Sequence, residues 1–452
     1  MRTEPTAALL SRYDVNAPRY TSYPTAAQFT PTIGERERAR WLAALPAAPV
    51  SLYLHIPFCK RLCWYCGCNT RAMNRPALIS TYVDLLLVEA NRVARAIGRR
   101  LPVSFLHLGG GTPNMLAPSD LERLMAGLAA IFDLGAVEEI AAELDPEVLT
   151  PEWIAAAGRI GLTRASLGVQ DLSPRVQAAV NRPESFATIE AAAAGLRAVG
   201  LRSLNLDLMY GLPRQGVAEV MATLEQVTTL RPDRIALFGY AHVPWMKSHQ
   251  RLIDEADLPD APLRFAQSRA AEGFLVARGW RSIGLDHFAL PHDDLAVAAA
   301  DGRLRRNFQG YTTDRAEALI GLGVSSISRF REGYVQNPSA ERDWRAAVGS
   351  GGLPGARGVA VTAGDAFLAA IIERMMCDGA VDVADLAARS GADLRDTAFA
   401  WPVLARLEAD GLIIQQGDTV RLTAAGRPFV RVVCGAWNPT TRPAEGRHAR
   451  AV

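Results

Sequence analysis

Residues Ser51–Thr70 read SLYLHIPFCKRLCWYCGCNT: an apolar, β-prone run, Ser51–Ile56, feeding straight into Cys59, Cys63, Cys66 and Cys68. The first three are spaced C-x-x-x-C-x-x-C. With only six cysteines in 452 residues, four this close do not make a disulfide framework, and zinc sites usually come as two separated pairs. Thiolates bunched in one loop suit an iron–sulfur cluster. Three ligands on a 4Fe–4S cluster leave one iron open, of little use to an electron carrier but suited to chelating a substrate or cofactor. The competing arrangement is a four-cysteine cluster or a zinc site with Cys68 as fourth ligand. Cys68, only two residues past Cys66, would then close the open iron.

This motif at the end of a first strand resembles the radical S-adenosylmethionine (radical SAM) superfamily, in which the open iron holds the amino and carboxylate groups of SAM. Cys377 and Cys434 lie far away and read as packed or surface residues.

Outward from the cysteines, short aliphatic runs alternate with helical patterns. Strands are expected at Ser51–Ile56, Val103–Leu108, Glu139–Glu143, Arg164–Val169, Ser203–Met209 and Arg234–Phe238. Between them lie segments apolar at helical spacing, such as Pro76–Ile97 and Pro118–Phe132. Six such βα units predict an α/β fold, an open, partial (β/α)6 TIM-like barrel. A seventh run, Arg281–Phe288, either extends the sheet or begins an appended subdomain. Each strand ends in a polar or Gly-rich signature: the cysteine loop, GGGTP at Gly109–Pro113, ELDP at Glu143–Pro146, GVQD at Gly168–Asp171, LDLMYGLP at Leu206–Pro213 and GYAHVPW at Gly239–Trp245. In βα barrels the loops after the strands share one face, where sites are built.

Residues 1–48 read as an arm, rich in proline and aromatic residues and without periodicity, with YDVNAPRYTSYPTAAQF at Tyr13–Phe29. So many tyrosines are foreign to a disordered tail. The arm either covers a site or only packs. The barrel and its extension span 49–340, and 340–360 reads as a Gly/Pro-rich linker. A small domain at 361–440 follows, with helices at Asp365–Cys377, Val383–Arg389 and Phe399–Asp410 and a hairpin at Leu412–Leu422 turning at Gly417–Asp418. Three helices and a hairpin resemble a winged helix. Without a basic recognition helix, a cap is preferred to a DNA reader.

Charges nearly cancel, 49 Lys plus Arg against 47 Asp plus Glu, so nothing global attracts nucleic acid or a membrane surface. The N-terminus has no apolar leader and no run approaches a membrane span. With bunched cysteines, that points to a reducing cytoplasm.

A closer resemblance rests on APRYTSYPTA at Ala17–Ala26, YLHIPFCKRLCWYCGCN at Tyr53–Asn69, HLGGGTP, NLDLMYGLP, NFQGYTT at Asn307–Thr313 and GVSSIS at Gly323–Ser328. These resemble the oxygen-independent coproporphyrinogen III oxidases (dehydrogenases) of bacterial haem synthesis, over nearly the whole chain. The resemblance implies Cys59, Cys63 and Cys66 as cluster ligands and two SAM molecules in the pocket. Tyr53, Gly110, Glu143, Ala241 and Ile327 fall on positions that bind one. Tyr65, Gly111, Thr112, Gln170, Arg182 and Asp207 fall on positions that bind the other, with Phe308 and Gln309 nearby; Tyr65 stands where the family often carries Phe. It further implies that a SAM-derived deoxyadenosyl radical converts two propionates of coproporphyrinogen III to vinyl groups, giving protoporphyrinogen IX. The expected partners are that substrate and an electron donor, served by a monomer. Two other readings stand beside it. A related haem-binding chaperone is disfavoured by Cys68 and the RYTSYPTA arm, and a cluster-bearing regulator by the lack of a basic helix.

Overall fold

The computed structural model describes residues 7–439; residues 1–6 of the expected arm and residue 440 of the expected cap lie outside them. Six parallel strands form the centre: β1 Val50–Ile56, β2 Val103–Gly110, β3 Glu139–Leu144, β4 Arg164–Gln170, β5 Ser203–Tyr210 and β6 Arg234–Gly239. They pair in sequence order, as right-handed βα units require. Several intervening helices open with proline in the first turn, among them Pro76–Ile97, Pro118–Ile131 and Pro151–Arg159. There its fixed φ and missing N–H cost nothing. Pro76–Ile97 buries Ile79, Val83, Leu86, Ala90, Val93 and Ile97, its helical stripe, against the sheet, and stops at Gly98 in the left-handed region.

The barrel stays open. Beyond β6 the run at Arg281–Phe288 folds into a hairpin, β7 Arg281–Ile283 and β8 His287–Ala289, which extends the sheet antiparallel. At the other edge β9 Leu319–Leu322 adds parallel to β1. Antiparallel β10 Ile327–Phe330, β11 Gly333–Gln336 and β12 Arg357–Ala360 complete twelve strands.

The stretch 340–360 is therefore not a bare linker. It carries the helix Glu341–Gly349 and then β12. The arm also holds two helices that the sequence did not announce, Ala7–Tyr13 and Glu35–Ala43. The second inserts Arg38, wholly buried, against Glu89 at 3.1 Å. Glu89 also accepts from Trp344 Nε1 at 2.9 Å, Asn337 Nδ2 at 2.8 Å and the Gly323 amide at 2.8 Å. A buried charge pair is tolerable only inside such a network of hydrogen bonds.

The C-terminal part has its own core, built on helices Ala363–Asp378, Val383–Ser390 and Trp401–Ala409. Its small sheet has three strands rather than a lone hairpin, because Ala380–Asp382 pairs with Thr419–Leu422. Leu10, Tyr20 and Tyr23 of the arm belong to that same core. Among the described residues no helix is long and apolar enough to cross a membrane.

Candidate functional site

The cysteine loop leaves the end of β1 and is held by the ends of other strands. Arg182 Nη1 donates to Cys63 Sγ at 3.4 Å and Nη2 to the Gly168 carbonyl at 2.6 Å, with Asp145 paired at 3.4 Å. Thr70 Oγ1 lies 3.0 Å and Thr112 Oγ1 3.4 Å from Cys59 Sγ, while the Cys68 amide lies 3.4 Å from Cys66 Sγ. Burial pushes the Cys59 thiol up. The Cys68 thiol, donating to Cys66, draws Cys66 down to about 7 despite burial, and is itself pushed up.

These donors test whether the loop suits a 4Fe–4S cluster. Each of Cys59, Cys63 and Cys66 has a donor aimed at sulfur, the arrangement that stabilises cluster thiolates. Cys68 spends its proton on Cys66 instead. Among the described residues no three His, Cys, Asp or Glu side chains converge as ligands of one ion would; thiolates on the corners of a four-iron cube stand apart. The donor set fits the cluster.

The glycine triplet packs onto the root of this loop. Gly111 N donates to the Ile56 carbonyl at 2.9 Å and Thr112 N to that of Phe58 at 2.8 Å. A Cβ on Gly111 would lie 2.7 Å from the Ile56 oxygen; one on Gly110, at φ +105°, would lie 2.3 Å from the His55 ring. Protein neighbours alone thus demand glycine here. Glu143, at the end of β3, accepts from the Gly110 amide at 2.9 Å and from His107 Nε2 at 3.1 Å. Burial pushes its carboxyl up, but these bonds outweigh it and hold the carboxyl below its ordinary range. Tyr53 stacks on His107, 5.8 Å between ring centres, and donates to His55 Nδ1 at 3.0 Å. His55 Nε2 in turn donates to the Asn69 carbonyl at 2.8 Å.

Gln170 ends β4 at a register shift with φ +68°, a strained conformation for a residue with a side chain. Asp207 on β5 accepts from Ser166 Oγ at 2.8 Å and Asn205 Nδ2 at 2.7 Å, and burial pushes it up to about 6. Ile327 sits farther out, on β10; its carbonyl packs against Gly321, the register partner of Tyr53. The segment after β6 returns to the cysteines. Gln250 Nε2 bonds the Tyr65 carbonyl at 3.0 Å and the Ala241 carbonyl at 3.2 Å, and Lys247 Nζ the Cys68 carbonyl at 2.9 Å. Sequence reasoning passed over His107, Asp145, Lys247, His249 and Gln250. Only His107 and Asp145 had a signal, since they lie within the stretches HLGGGTP and ELDP already noted.

Beside Ala241 opens a cavity of about 1730 Å³. Its walls are the arm from Arg12 to Thr30, the loops after β5 and β6, and the cap helix Trp401–Ala409 with residues near Arg431.

Residues 53–227 match the family model of the radical SAM superfamily, and residues 361–429 match that of the HemN C-terminal domain. The oxygen-independent coproporphyrinogen III oxidase of Bradyrhizobium diazoefficiens is 44% identical over 96% of this chain and 97% of its own. That of Escherichia coli K12 is 38% identical over 94% and 93%. The solved structure of the Escherichia coli coproporphyrinogen III oxidase, described as a radical SAM enzyme, matches with a TM-score of 0.90 at 35% identity, covering 98% of this chain and 100% of that one.

Proposed function

The chain belongs to the oxygen-independent coproporphyrinogen III oxidases of the radical SAM superfamily, and from this premise we propose that it oxidatively decarboxylates coproporphyrinogen III to protoporphyrinogen IX. It is an oxidoreductase of haem biosynthesis that works with a 4Fe–4S cluster and SAM. One observation carries the reading: a three-thiol loop with a donor on every sulfur stands at the mouth of the barrel that also bounds a cavity of about 1730 Å³, roomy enough for a bulky substrate.

When bound, the cluster and SAM supply a deoxyadenosyl radical that takes a hydrogen atom from the β-carbon of a propionate. The propionate becomes a vinyl group by giving up that hydrogen atom, carbon dioxide and one electron, which an external acceptor takes. This happens twice per substrate.

Cys59, Cys63 and Cys66 would hold the cluster, leaving Cys68 unligated. Glu143, kept ionised by His107 and Gly110, would bind the ribose hydroxyls or ammonium of one SAM, alongside Tyr53, Gly110, Ala241 and Ile327. Tyr65, Gly111, Thr112, Gln170, Arg182 and Asp207 would serve a second. The arm (1–48) and cap (361–440) would close the barrel (49–340) against water, which protects a radical. We place the enzyme in the cytoplasm as a monomer fed by a separate electron donor.

The test is anaerobic incubation of iron-loaded protein with SAM, a strong reductant and coproporphyrinogen III. Vinyl-bearing product, with carbon dioxide and deoxyadenosine, is expected. Fully loaded protein that cleaves SAM but leaves every propionate intact overturns the reading.

A further inference from the structure

Coproporphyrinogen III carries four propionates, of which two react and two are kept. A site that presents one to a radical must hold others, and carboxylates are held best by guanidinium groups. The cavity between arm, barrel and cap has four arginines on its wall: Arg12, Arg264, Arg406 and Arg431. Two have visible duties. Arg12 pairs with Asp410, and Arg431 bonds the arm's Ala17 and Pro18 carbonyls. The other two face no carboxylate within ion-pair reach among the described residues, and Arg264 Nε is buried without a partner.

The surroundings of Arg264 are built for it. It rises from the helix Ala261–Ala277 to lie over the Tyr210 ring, 5.7 Å from its centre. A Cβ on Gly211, at φ +80°, would fall 2.3 Å from Arg264 Nη1, and one on Gly239 would fall 3.3 Å from Nη2. The glycines of two strand-end signatures, LDLMYGLP and GYAHVPW, thus clear the space that the guanidinium occupies. That puts a half-buried cation, its Nε enclosed, at the strand-end face of β5 and β6 with no ion pair among the described residues. Three of the carboxylates on the cavity wall are engaged elsewhere. Glu255 is bonded to His242 at 3.1 Å, Asp260 accepts the Leu263 amide at 2.9 Å, and Asp410 is held by Arg12 and Tyr13. Arg406 stands on the cap helix, so the two free cations belong to different parts of the fold.

We infer that Arg264, at the barrel mouth, and Arg406, on the cap, are the propionate anchors of this cavity, each taking one carboxylate of the same porphyrinogen. This rests on the reaction proposed above and names what that reading leaves open, the groups that recognise the substrate's charge. It also gives the cap a purpose, because Arg406, one of the two anchors, stands on it.

The test uses the full-length, iron-loaded enzyme and a stable probe, coproporphyrin III, whose binding is followed by fluorescence beside its uncharged tetramethyl ester. The free acid should bind at least about tenfold tighter than the ester. Arg264→Gln and Arg406→Gln, with iron content matched to the unaltered chain, should each weaken acid binding roughly ten- to hundredfold, the worth of one charge-assisted bond. Arg264→Lys should recover part of the loss, and KM for coproporphyrinogen should rise in step. Equal binding of acid and ester by the unaltered chain, or acid binding and KM within about twofold of it in both Gln variants, overturns the assignment. Should the arginines govern acid binding while no vinyl product forms, the anchors stand and the reaction falls. Normal turnover with indifferent arginines gives the reverse.

Discussion

Nε2 of His249 donates to the carbonyl oxygen of Cys66 across 2.7 Å, joining residues 183 positions apart. With Lys247 on Cys68 and Gln250 on Tyr65, it makes the segment after β6 a clamp on the cysteine loop. Gln250 is 1% exposed and also accepts the Val243 amide at 2.6 Å. Gln250→Leu strands two carbonyls and an amide, at about 1–3 kcal/mol for each group left buried and unpaired. The loaded variant should release iron to a chelator several times faster than the unaltered protein. An unchanged release rate would show that the clamp does not hold the loop.

The sulfur donors predict unequal cysteines. Cys59→Ala, Cys63→Ala and Cys66→Ala should each abolish incorporation of the cluster, while Cys68→Ala keeps it. Iron and sulfide counts after anaerobic reconstitution decide the matter, and equal loss in all four variants would sink the three-ligand assignment.

Glu143 is a held, ionised carboxylate, whereas Asp207 is capped by Ser166 and Asn205 and pushed up to about 6. Glu143→Ala should weaken SAM binding roughly ten- to hundredfold, the loss of one charge-assisted bond. Asp207→Ala should weaken it less at pH 6 than at pH 8, because part of Asp207 is already protonated at the lower value. Equilibrium binding on the loaded protein tests both, and unchanged affinity in both variants would remove these residues from the pocket.

Asp171, 2% exposed, is pushed by burial up to about 6 although Gln215 and the Ser173 amide bond it. Its ordinary value is 3.8. Between the two, the folded state holds more proton than the unfolded one, so stability falls as pH rises through that window. Above it the full cost, about 3 kcal/mol, is in place. Asp171→Asn should therefore gain stability over the unaltered protein from pH 4 to pH 6 and hold a constant difference beyond. Thermal midpoints across that range measure the effect; parallel curves would refute it.

The six parallel strands were legible to within a residue or two, because each is a compact aliphatic run closed by Gly, Pro or Asp. The helix Glu35–Ala43 was not. Its sequence, ERERARWLA, hides a buried Arg38 that only the distant Glu89 makes tolerable, and no periodicity reports a partner 51 residues away. The helix Glu341–Gly349 escaped for a related reason. It buries only Trp344 and Val348, a stripe too thin to stand out beside a Gly/Pro-rich stretch. At the candidate site the cysteine loop was plain because its signal is local. The residues after β6 that fasten it, Lys247, His249 and Gln250, lie in a segment with no motif of its own and act through long-range bonds to backbone carbonyls, which leave no mark on side-chain pattern.

The arm's place in the cap core bears on how a bulky molecule enters and leaves. Leu10, Tyr20 and Tyr23 are each less than a tenth exposed, and Arg306 bonds the carbonyls of Arg19 and Tyr20 at 3.2 and 3.3 Å. Peeling the arm away would wet three large side chains at roughly 1.5–3 kcal/mol apiece, leaving on the order of one molecule in a thousand or fewer ajar at any moment. Trp245, which borders the same cavity, is by contrast 55% exposed, so displacing it wets little new surface. The arm is a fixed wall of the cavity, not its moving part.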